Sequence, residues 1–187
     1  PRGDMNALVD WCVGEVRLAL EYQGVLDDTI VMFSSDNGPR RGAEGQDSAG
    51  PFRGYKNSAY EGGHRVPFIV RWPGRVKPGT HTDVPISLTD MMATFAEFLN
   101  ISLPDNAAED SFNMLPALRG EATAPIRPYL LTQSFRGAQT LSIRRGPWKY
   151  LDHPSSGGNR YENNPGLKPF ILPDASPDAP VQLYNLD

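Results

Sequence analysis

Cysteine is almost absent from this chain, since Cys12 is the only one among its 187 residues. A single cysteine cannot form a disulfide within the chain, so cysteine usage leaves the redox compartment open. Cys12 lies between Trp11 and Val13 in a helical pattern, which favours a small buried hydrophobe over a nucleophile.

Long apolar runs and clusters of basic residues are missing as well. No stretch approaches the roughly 20 apolar residues that a membrane-spanning helix needs. The formal net charge is -4, from 18 basic and 22 acidic residues, and no basic block predicts contact with a phosphate backbone. We therefore expect no membrane span and no nucleic acid partner.

The first part of the chain alternates helix and strand signals. A helix is predicted from about Met5 to Gln23, with Asp4 as its N-cap and Gly24 as its stop. Short apolar strands follow from Thr29 to Ser34 and from Val66 to Arg71. Such an order is typical of an α/β fold, so we predict part of a mixed, mostly parallel sheet flanked by helices.

The second part of the chain predicts one more helix and then a different architecture. The helix runs from about Leu88 to Leu99, with Ser87 and Asp90 as an approximate capping box. Beyond it the signals are those of short strands separated by turns. These strands are Tyr129 to Thr132, Ala138 to Ile143, Trp148 to Leu151 and Val181 to Tyr184. We predict that residues 1–128 are α/β and that residues 129–187 begin a small antiparallel subdomain.

The end of the first predicted strand carries two adjacent oxygen donors, Asp36 and Asn37. Ligands of α/β sheets collect beyond the carboxyl ends of the strands, and carboxylate and amide oxygens suit Ca²⁺ or Mg²⁺. Two ligands are too few for a site, so others must come from elsewhere. The alternative is a tight hairpin turn ending at Gly38, which requires a second alternating strand directly afterwards. Pro39 to Gly42 do not read as such a strand.

The glycine-rich segment that follows carries three further candidate side chains. Lys56 could neutralise an oxygen of a phosphate or sulfate, although a solvated surface lysine is the alternative. Arg53 has the fork geometry for an oxyanion, but pairing with Glu61 or Asp47 is equally simple. His64 could hydrogen-bond a ligand, and its alternative role is a structural hydrogen bond at the entrance of the second strand.

Three linked segments of this sequence resemble the sulfatase family, the arylsulfatase-like members of the alkaline phosphatase superfamily. They are Val31 to Gly38, Gly50 to Lys56 and Tyr60 to Phe68, with Trp72-Pro73-Gly74 after them. Asp110 to Leu118 and Arg145 to Tyr150 are similar to downstream segments of the family. The resemblance covers nearly the whole chain and implies an alkaline-phosphatase-like fold. Residues 1–128 then correspond to the C-terminal part of the catalytic domain.

The resemblance implies a sulfuric ester hydrolase with a metal-assisted mechanism. In this family Asp36 and Asn37 would be ligands of the active-site Ca²⁺, with Mg²⁺ less expected, and Lys56 would be a catalytic contact of the sulfate. The nucleophile would be a formylglycine made from a Cys/Ser-x-Pro-x-Arg motif, which this chain does not contain. We therefore expect a downstream fragment, inactive alone, whose nucleophile and remaining ligands lie in a missing N-terminal half.

The expected substrate is a sulfate ester of an aryl or carbohydrate group. The predicted substrate-binding residues besides Lys56 are Arg53, His64 and His153. His153 is included because the family's C-terminal subdomain helps to line the pocket. The loop from Pro154 to Asn164 is then a candidate for substrate selection, although it also reads as a polar surface loop. Family analogy predicts a sulfated carbohydrate substrate and a periplasmic or extracellular location.

Two other functions stay open at the level of sequence. One is a phosphate or phosphonate ester hydrolase of the same superfamily, and the other is a non-catalytic carbohydrate-binding or structural α/β module. The upstream sequence discriminates among them. A Cys/Ser-x-Pro-x-Arg motif there supports the sulfatase, a threonine or an unmodified serine nucleophile supports phosphoryl transfer, and a true start near Pro1 supports the module.

Overall fold

The computed structural model describes residues 2–41, 47–135, 139–158, 165–166, 168, 171 and 179–187. The helices of this part are α1 (Arg2–Tyr22), α2 (Glu61–His64), α3 (Met91–Phe98) and α4 (Leu115–Leu118). The strands are β1 (Val31–Ser34), β2 (Phe68–Arg71), β3 (Leu130–Gln133), β4 (Leu141–Arg145), β5 (Trp148–Leu151) and β6 (Gln182–Asn185). In this part of the chain no helix has the length and apolar content to cross a membrane.

Helix α1 confirms the first predicted helix, with a different start. It begins at Arg2, so Asp4 lies in its first turn and the prediction of an N-cap at that residue is wrong. The predicted stop is confirmed, because the chain leaves the helix through Gly24 at φ 70°. Glycine lacks a Cβ and adopts this left-handed conformation at little cost.

The apolar stripe of α1 is largely uncovered among the described residues. Met5 is 67% exposed and Leu8 is 58% exposed, although the periodicity marks both as core positions. Cys12 is exposed as well, so the expectation of a buried cysteine is wrong. The sequence pattern identifies which face of the helix is apolar, but it does not say what covers that face.

Strands β1 and β2 pair antiparallel, with Val31 opposite Arg71 and Ser34 opposite Phe68. Both lie where the sequence predicts strands, but residues 35–67 reverse the chain direction between them. The turn at Asp36 is therefore not a tight hairpin. Parallel pairing does not occur among the strands of the described residues, and the mostly parallel sheet stays a prediction.

The capping box before α3 is confirmed. The Ser87 backbone N–H donates to Asp90 Oδ2 at 2.7 Å, and the Ser87 hydroxyl accepts from the Thr89 N–H. Asp90 is fully buried and forms an ion pair with the buried Arg127. A buried pair of this kind joins the start of α3 to the segment that leads into β3.

Four antiparallel strands in the order β3-β4-β5-β6 confirm the four strand predictions of the C-terminal part. One face of this sheet is turned inward and is rich in polar groups, among them Ser142, Lys149 and Gln182. The other face exposes large apolar side chains. These are Leu131, Leu141, Ile143, Trp148, Tyr150 and Leu183. The proposed boundary between residues 128 and 129 stays a prediction.

Candidate functional site

The chain just after β1 packs directly on α2 through its main chain. The Gly38 N–H donates to the Gly63 carbonyl oxygen at 2.9 Å. A Cβ added to Gly38 would lie 1.9 Å from the Gly62 carbonyl oxygen, so no other residue fits this approach without a shift of the backbone. The glycines therefore place the end of β1 against α2.

The loop that carries Lys56 is attached to the same structure by backbone hydrogen bonds. The Lys56 N–H donates to the Pro39 carbonyl oxygen at 2.8 Å, and the Gly62 N–H donates to the Arg53 carbonyl oxygen at 2.8 Å. Gly62 also lies so close to Gly54 that a Cβ would be 2.1 Å from its carbonyl oxygen. These contacts bring residues 50–60, called the lysine loop from here on, beside the residues that follow β1.

An open cavity of about 470 Å³ lies at this junction, and Asp36, Asn37 and Lys56 all line it. The remaining lining residues are Ser35, Gly38, Pro39, Arg40, Ser48, Arg65, Val66 and Pro67. Three of the predicted site residues thus share one cavity, although 20 positions separate Asp36 from Lys56 along the chain.

The side chain of Asn37 has an acceptor with no hydrogen-bond partner among the described residues. Its Oδ1 is buried, and an unsatisfied buried acceptor costs about 1–3 kcal/mol. A cation or a donor from a ligand would satisfy it. Asp36 is exposed at the cavity, so its carboxylate is accessible to the same ligand.

The oxygen pair of Asp36 and Asn37 fits a hard divalent cation in its chemistry, but it is not a complete site. Ca²⁺ takes about 6–8 oxygen ligands, so most of them must come from water or other residues. Within the described ranges no group of three or more His, Cys, Asp or Glu residues could hold a metal. The residues present are therefore part of a metal site at most.

A buried ion-pair network centres on Glu61, and no pattern in the sequence predicted it. Glu61 Oε1 lies 2.8 Å from Lys149 Nζ, and its Oε2 lies 3.3 Å from Arg144 Nη1. Burial would raise the pKa of Glu61, but Lys149, Arg144 and Arg65 together hold it below its usual value. The network joins α2 to β4 and β5. Sequence spacing carries no signal for it, because 88 residues separate Glu61 from Lys149.

His64 belongs to the same buried region and does not line the cavity. Its Nε2 is buried without a partner among the described residues. Burial, together with the positive charge of Lys149, lowers the pKa of His64 to about 4, so the ring is neutral at neutral pH. Its predicted contact with substrate stays a prediction.

The predicted substrate-binding residue Arg53 lies outside the cavity lining. Its guanidinium lies 4.4 Å from the centre of the Tyr60 ring, and Nη1 is 3.4 Å from the Tyr184 hydroxyl. Tyr60 is buried and donates its hydroxyl hydrogen to Gln182 Oε1 at 2.7 Å. Arg53 thus stacks on the junction between the lysine loop and β6.

His153 also lies outside the cavity lining, on a loop that packs against the lysine loop. The Ala59 N–H donates to the Ser156 carbonyl oxygen at 2.8 Å. His153 Nδ1 accepts from the Ser155 N–H at 3.1 Å. Residues 159–164 of the predicted selection loop lie outside the described residues, and the role of His153 stays a prediction.

The cavity combines a carboxylate, an amide oxygen and a lysine at the end of a strand, which are donor types suited to a hard cation and an oxyanion. Residues 2–101 match the Sulfatase family, and the chain belongs to that family. Its membership confirms the resemblance that the three linked segments predicted.

Individual relatives resemble the chain along its whole length. N-acetylgalactosamine-6-O-sulfatase of Bacteroides thetaiotaomicron is 37% identical over 99% of this chain and 36% of its own length. Human arylsulfatase A is 32% identical over 100% of this chain and 39% of its own length. The chain therefore spans between a third and two fifths of these curated relatives.

Solved structures support the fold. A Bacteroides thetaiotaomicron structure, described under the metabolism of multiple glycosaminoglycans, superposes with a TM-score of 0.83 at 35% identity. The match covers 99% of this chain and 38% of that chain. The overall arrangement is accordingly that of the corresponding part of a sulfatase, with an alkaline-phosphatase-like fold.

Proposed function

We propose that the protein carrying this chain hydrolyses sulfate esters and that the cavity beside Asp36, Asn37 and Lys56 is part of its active site. One observation carries the proposal. The fold brings these three side chains to one cavity and leaves Asn37 Oδ1 buried without a partner among the described residues. Family membership agrees with this activity.

Asp36 and Asn37 would hold a divalent cation, which we propose to be Ca²⁺ rather than Mg²⁺. Ca²⁺ accepts irregular sets of carboxylate and amide oxygens, whereas Mg²⁺ demands nearly ideal octahedral geometry. When bound, such a cation supplies positive charge that polarises the S–O bonds of the ester. The carboxylate of Asp36 and the amide oxygen of Asn37 set the position of this charge within the cavity.

Lys56 would bind the sulfate and stabilise the charge that develops on it or on the leaving oxygen. Its ammonium group can donate up to three hydrogen bonds and remains a compact positive charge. The backbone hydrogen bond from Lys56 to Pro39 keeps the start of this side chain in a constant position relative to Asp36 and Asn37. Charge held in place before the reaction needs no reorganisation when the transition state forms.

The nucleophile in this proposal is a formylglycine outside the 187 residues, because the chain has no Cys/Ser-x-Pro-x-Arg motif. We propose that the chain alone, refolded, does not hydrolyse an aryl sulfate. The proposed layout also divides the chain into an α/β part, residues 1–128, and the start of a C-terminal subdomain, residues 129–187. Measurable turnover of 4-nitrophenyl sulfate by the isolated chain would contradict the assignment of the nucleophile.

The proposed substrate class is a sulfated carbohydrate, and the proposed location is periplasmic or extracellular. The relative that is 37% identical over nearly the whole chain is an N-acetylgalactosamine-6-O-sulfatase, which supports a sugar sulfate. A cavity of about 470 Å³ falls within the roughly 300–1,000 Å³ of pockets that hold small-molecule ligands.

Substitution of two of the three cavity residues, Asp36 and Lys56, tests the proposal in the protein that carries this chain. Asp36→Ala is expected to abolish Ca²⁺ binding in titration calorimetry and sulfatase activity together. Lys56→Ala is expected to lower kcat by about 10²–10³-fold, as the loss of a preorganised donor does, while Ca²⁺ still binds. Asp83→Ala and Lys77→Ala serve as controls, because both residues are exposed and lie outside the cavity lining. Full activity of the Asp36 or Lys56 variant would refute the site assignment.

A further inference from the structure

Basic side chains other than Lys56 also line the cavity. Among its described lining residues Arg40, Lys56 and Arg65 are basic and Asp36 is acidic. A sulfate monoester has one negative charge, which Lys56 and the proposed divalent cation already exceed. Arg65 is therefore not needed for the binding of a single sulfate group.

Stacking and a backbone hydrogen bond hold Arg65 in place. Its guanidinium lies 4.5 Å from the centre of the Phe52 ring, which orients the planar group by stacking. Its backbone N–H donates to the Glu61 carbonyl oxygen at 2.8 Å, so its Cα is held at the end of α2. Among the described residues its guanidinium makes no side-chain hydrogen bond.

The ion-pair partner of Arg65 is Glu61, whose carboxylate is shared with two other cations. Glu61 Oε2 is 3.9 Å from Arg65 Nη1, beyond hydrogen-bond distance. The same carboxylate binds Lys149 at 2.8 Å and Arg144 at 3.3 Å, so one negative charge is shared by three cations. Because the side chain of Lys149 is only 4% exposed and water cannot solvate its charge, Lys149 remains paired with Glu61.

The side chain of Arg65 is 53% exposed and borders the cavity, so a ligand can reach it. Arginine presents its donors as a rigid fork that binds carboxylate and sulfate oxygens with two parallel hydrogen bonds. A cavity of about 470 Å³ has room for more than one ester group. An oriented fork whose donors make no side-chain hydrogen bond among the described residues, in the cavity of the proposed sulfate site, is suited to a second oxyanion of the same ligand.

We propose that Arg65 binds a second anionic group of the substrate, so that the protein prefers saccharides with a carboxylate or another sulfate near the scissile sulfate ester. The inference rests on the proposed sulfatase function of the same cavity. Arg65 would determine specificity, because its guanidinium is oriented and half-exposed and the residue lines the same cavity as Lys56.

The test compares three disaccharides that have the same scissile sulfate. The neighbouring sugar is neutral in the first, carries a uronic acid carboxylate in the second and carries a second sulfate in the third. The protein is expected to show a kcat/KM at least about tenfold higher on the better dianionic substrate, because charge-assisted hydrogen bonds are about twice as strong as neutral ones. The preferred disaccharide shows whether Arg65 binds a carboxylate or a second sulfate. Equal kcat/KM on all three substrates would overturn the inference.

Substitution of Arg65 assigns the preference to this residue. Arg65→Gln is expected to bring the ratio of dianionic to monoanionic kcat/KM close to one, chiefly through KM. Arg65→Lys, which keeps the charge without the fork, is expected to retain part of the ratio. Arg75→Gln, at an exposed position outside the cavity lining, is the matched control and should leave the ratio unchanged. An unchanged ratio in both Arg65 variants would overturn the assignment.

Hydrolysis of 4-nitrophenyl sulfate, measured in parallel, separates this inference from the proposed function. If that substrate is cleaved without any preference among the disaccharides, the function stands and the role of Arg65 is refuted. If no sulfate ester is cleaved, the proposed function is refuted and equilibrium binding of the three disaccharides decides the second question. A dianion preference in binding that Arg65→Gln removes supports the site, and equal binding overturns it.

Discussion

The cavity region and the C-terminal sheet both bury polar atoms, and they satisfy them by different means. Around the cavity, backbone groups pair with backbone groups, as in the hydrogen bonds from Gly38 to Gly63 and from Lys56 to Pro39. In the sheet, buried side chains pair with other side chains, as Lys149 does with Glu61 of α2. Backbone pairing holds the cavity region in place while Asn37 Oδ1 is left without a partner among the described residues, so this oxygen can face a ligand.

Different residues of this molecule therefore serve ligand binding and stability. Asp36 is exposed and Asn37 retains an unsatisfied acceptor, whereas the buried charges of the sheet are paired. The network of Glu61 belongs to both regions, because this residue begins α2 and its carboxylate binds β4 and β5. Through it the C-terminal sheet supports the helix on which the end of β1 rests.

The largest expected effect is the loss of the charge that joins the two regions. Glu61→Gln would leave the buried Lys149 without its carboxylate, which costs about 3–5 kcal/mol when one partner of a buried pair is removed. Urea unfolding of the protein that carries this chain measures the loss. The control is Glu21→Gln, which breaks the exposed pair with Arg17 and should cost less than about 0.5 kcal/mol. Equal effects of the two substitutions would show that the buried network does not stabilise the fold.

The second prediction concerns the backbone contacts of the cavity region. Gly62→Ala would place a Cβ 2.1 Å from the Gly54 carbonyl oxygen, and such overpacking typically costs about 1–3 kcal/mol. Gly14→Ala is the matched control, because α1 has open space at that position and the change should stabilise the helix by about 0.5–1 kcal/mol. Thermal unfolding compares the two variants. A stable Gly62→Ala protein with unchanged activity would argue against a tightly packed support.

The third prediction is acid destabilisation through His64, whose pKa falls from 6.5 to about 4 in the folded chain. Between these values the unfolded state binds more protons, so stability decreases as the pH falls through this window. Going from pH 7 to pH 5 should cost about 1–2 kcal/mol at this residue. His64→Gln should remove that part of the pH dependence, whereas substitution of the exposed His81 should not. Parallel pH profiles of wild type and His64→Gln would contradict a buried neutral ring.

The smallest expected effect is the loss of one buried hydroxyl in the contact between the two regions. Tyr60→Phe removes the hydrogen bond to Gln182 Oε1 and should cost about 1 kcal/mol. Tyr150→Phe, on the outer face of the sheet, should change stability by no more than about 0.5 kcal/mol. Denaturant midpoints measured side by side give the comparison. A Tyr60 variant as stable as the Tyr150 variant would show that this contact contributes nothing.

Local pattern was sufficient for most elements of the fold. The stop of α1 at Gly24, the capping box of Ser87 with Asp90 and the four C-terminal strands all follow from signals within a few residues. The start of α1 and the short helix α2 were missed. Helix α2 has only four residues, two of them glycines, so the sequence shows no helical periodicity there. Packing against the lysine loop stabilises this helix, whereas the helix propensity of glycine is low.

The sequence also predicted the candidate site only in part. Residue type and the linked segments predicted Asp36, Asn37 and Lys56, and the structure brings all three to one cavity. Arg53, His64 and His153 lie outside its lining, and the pairing of Glu61 with Lys149 had no signal in the sequence. Residue type states what a side chain can do, but not which distant side chain it meets.

The sequence by itself determined the family, the order of most helices and strands, and the donors that could bind a cation and an oxyanion. Tertiary structure alone decided that β1 and β2 run antiparallel, that Asn37 Oδ1 is left without a partner among the described residues, and that Arg65 borders the cavity. The physical reason is the separation along the chain over which each interaction acts. Helix stops, caps and strand alternation act over a few residues, whereas burial and charge pairing depend on groups that folding brings together from distant parts of the chain.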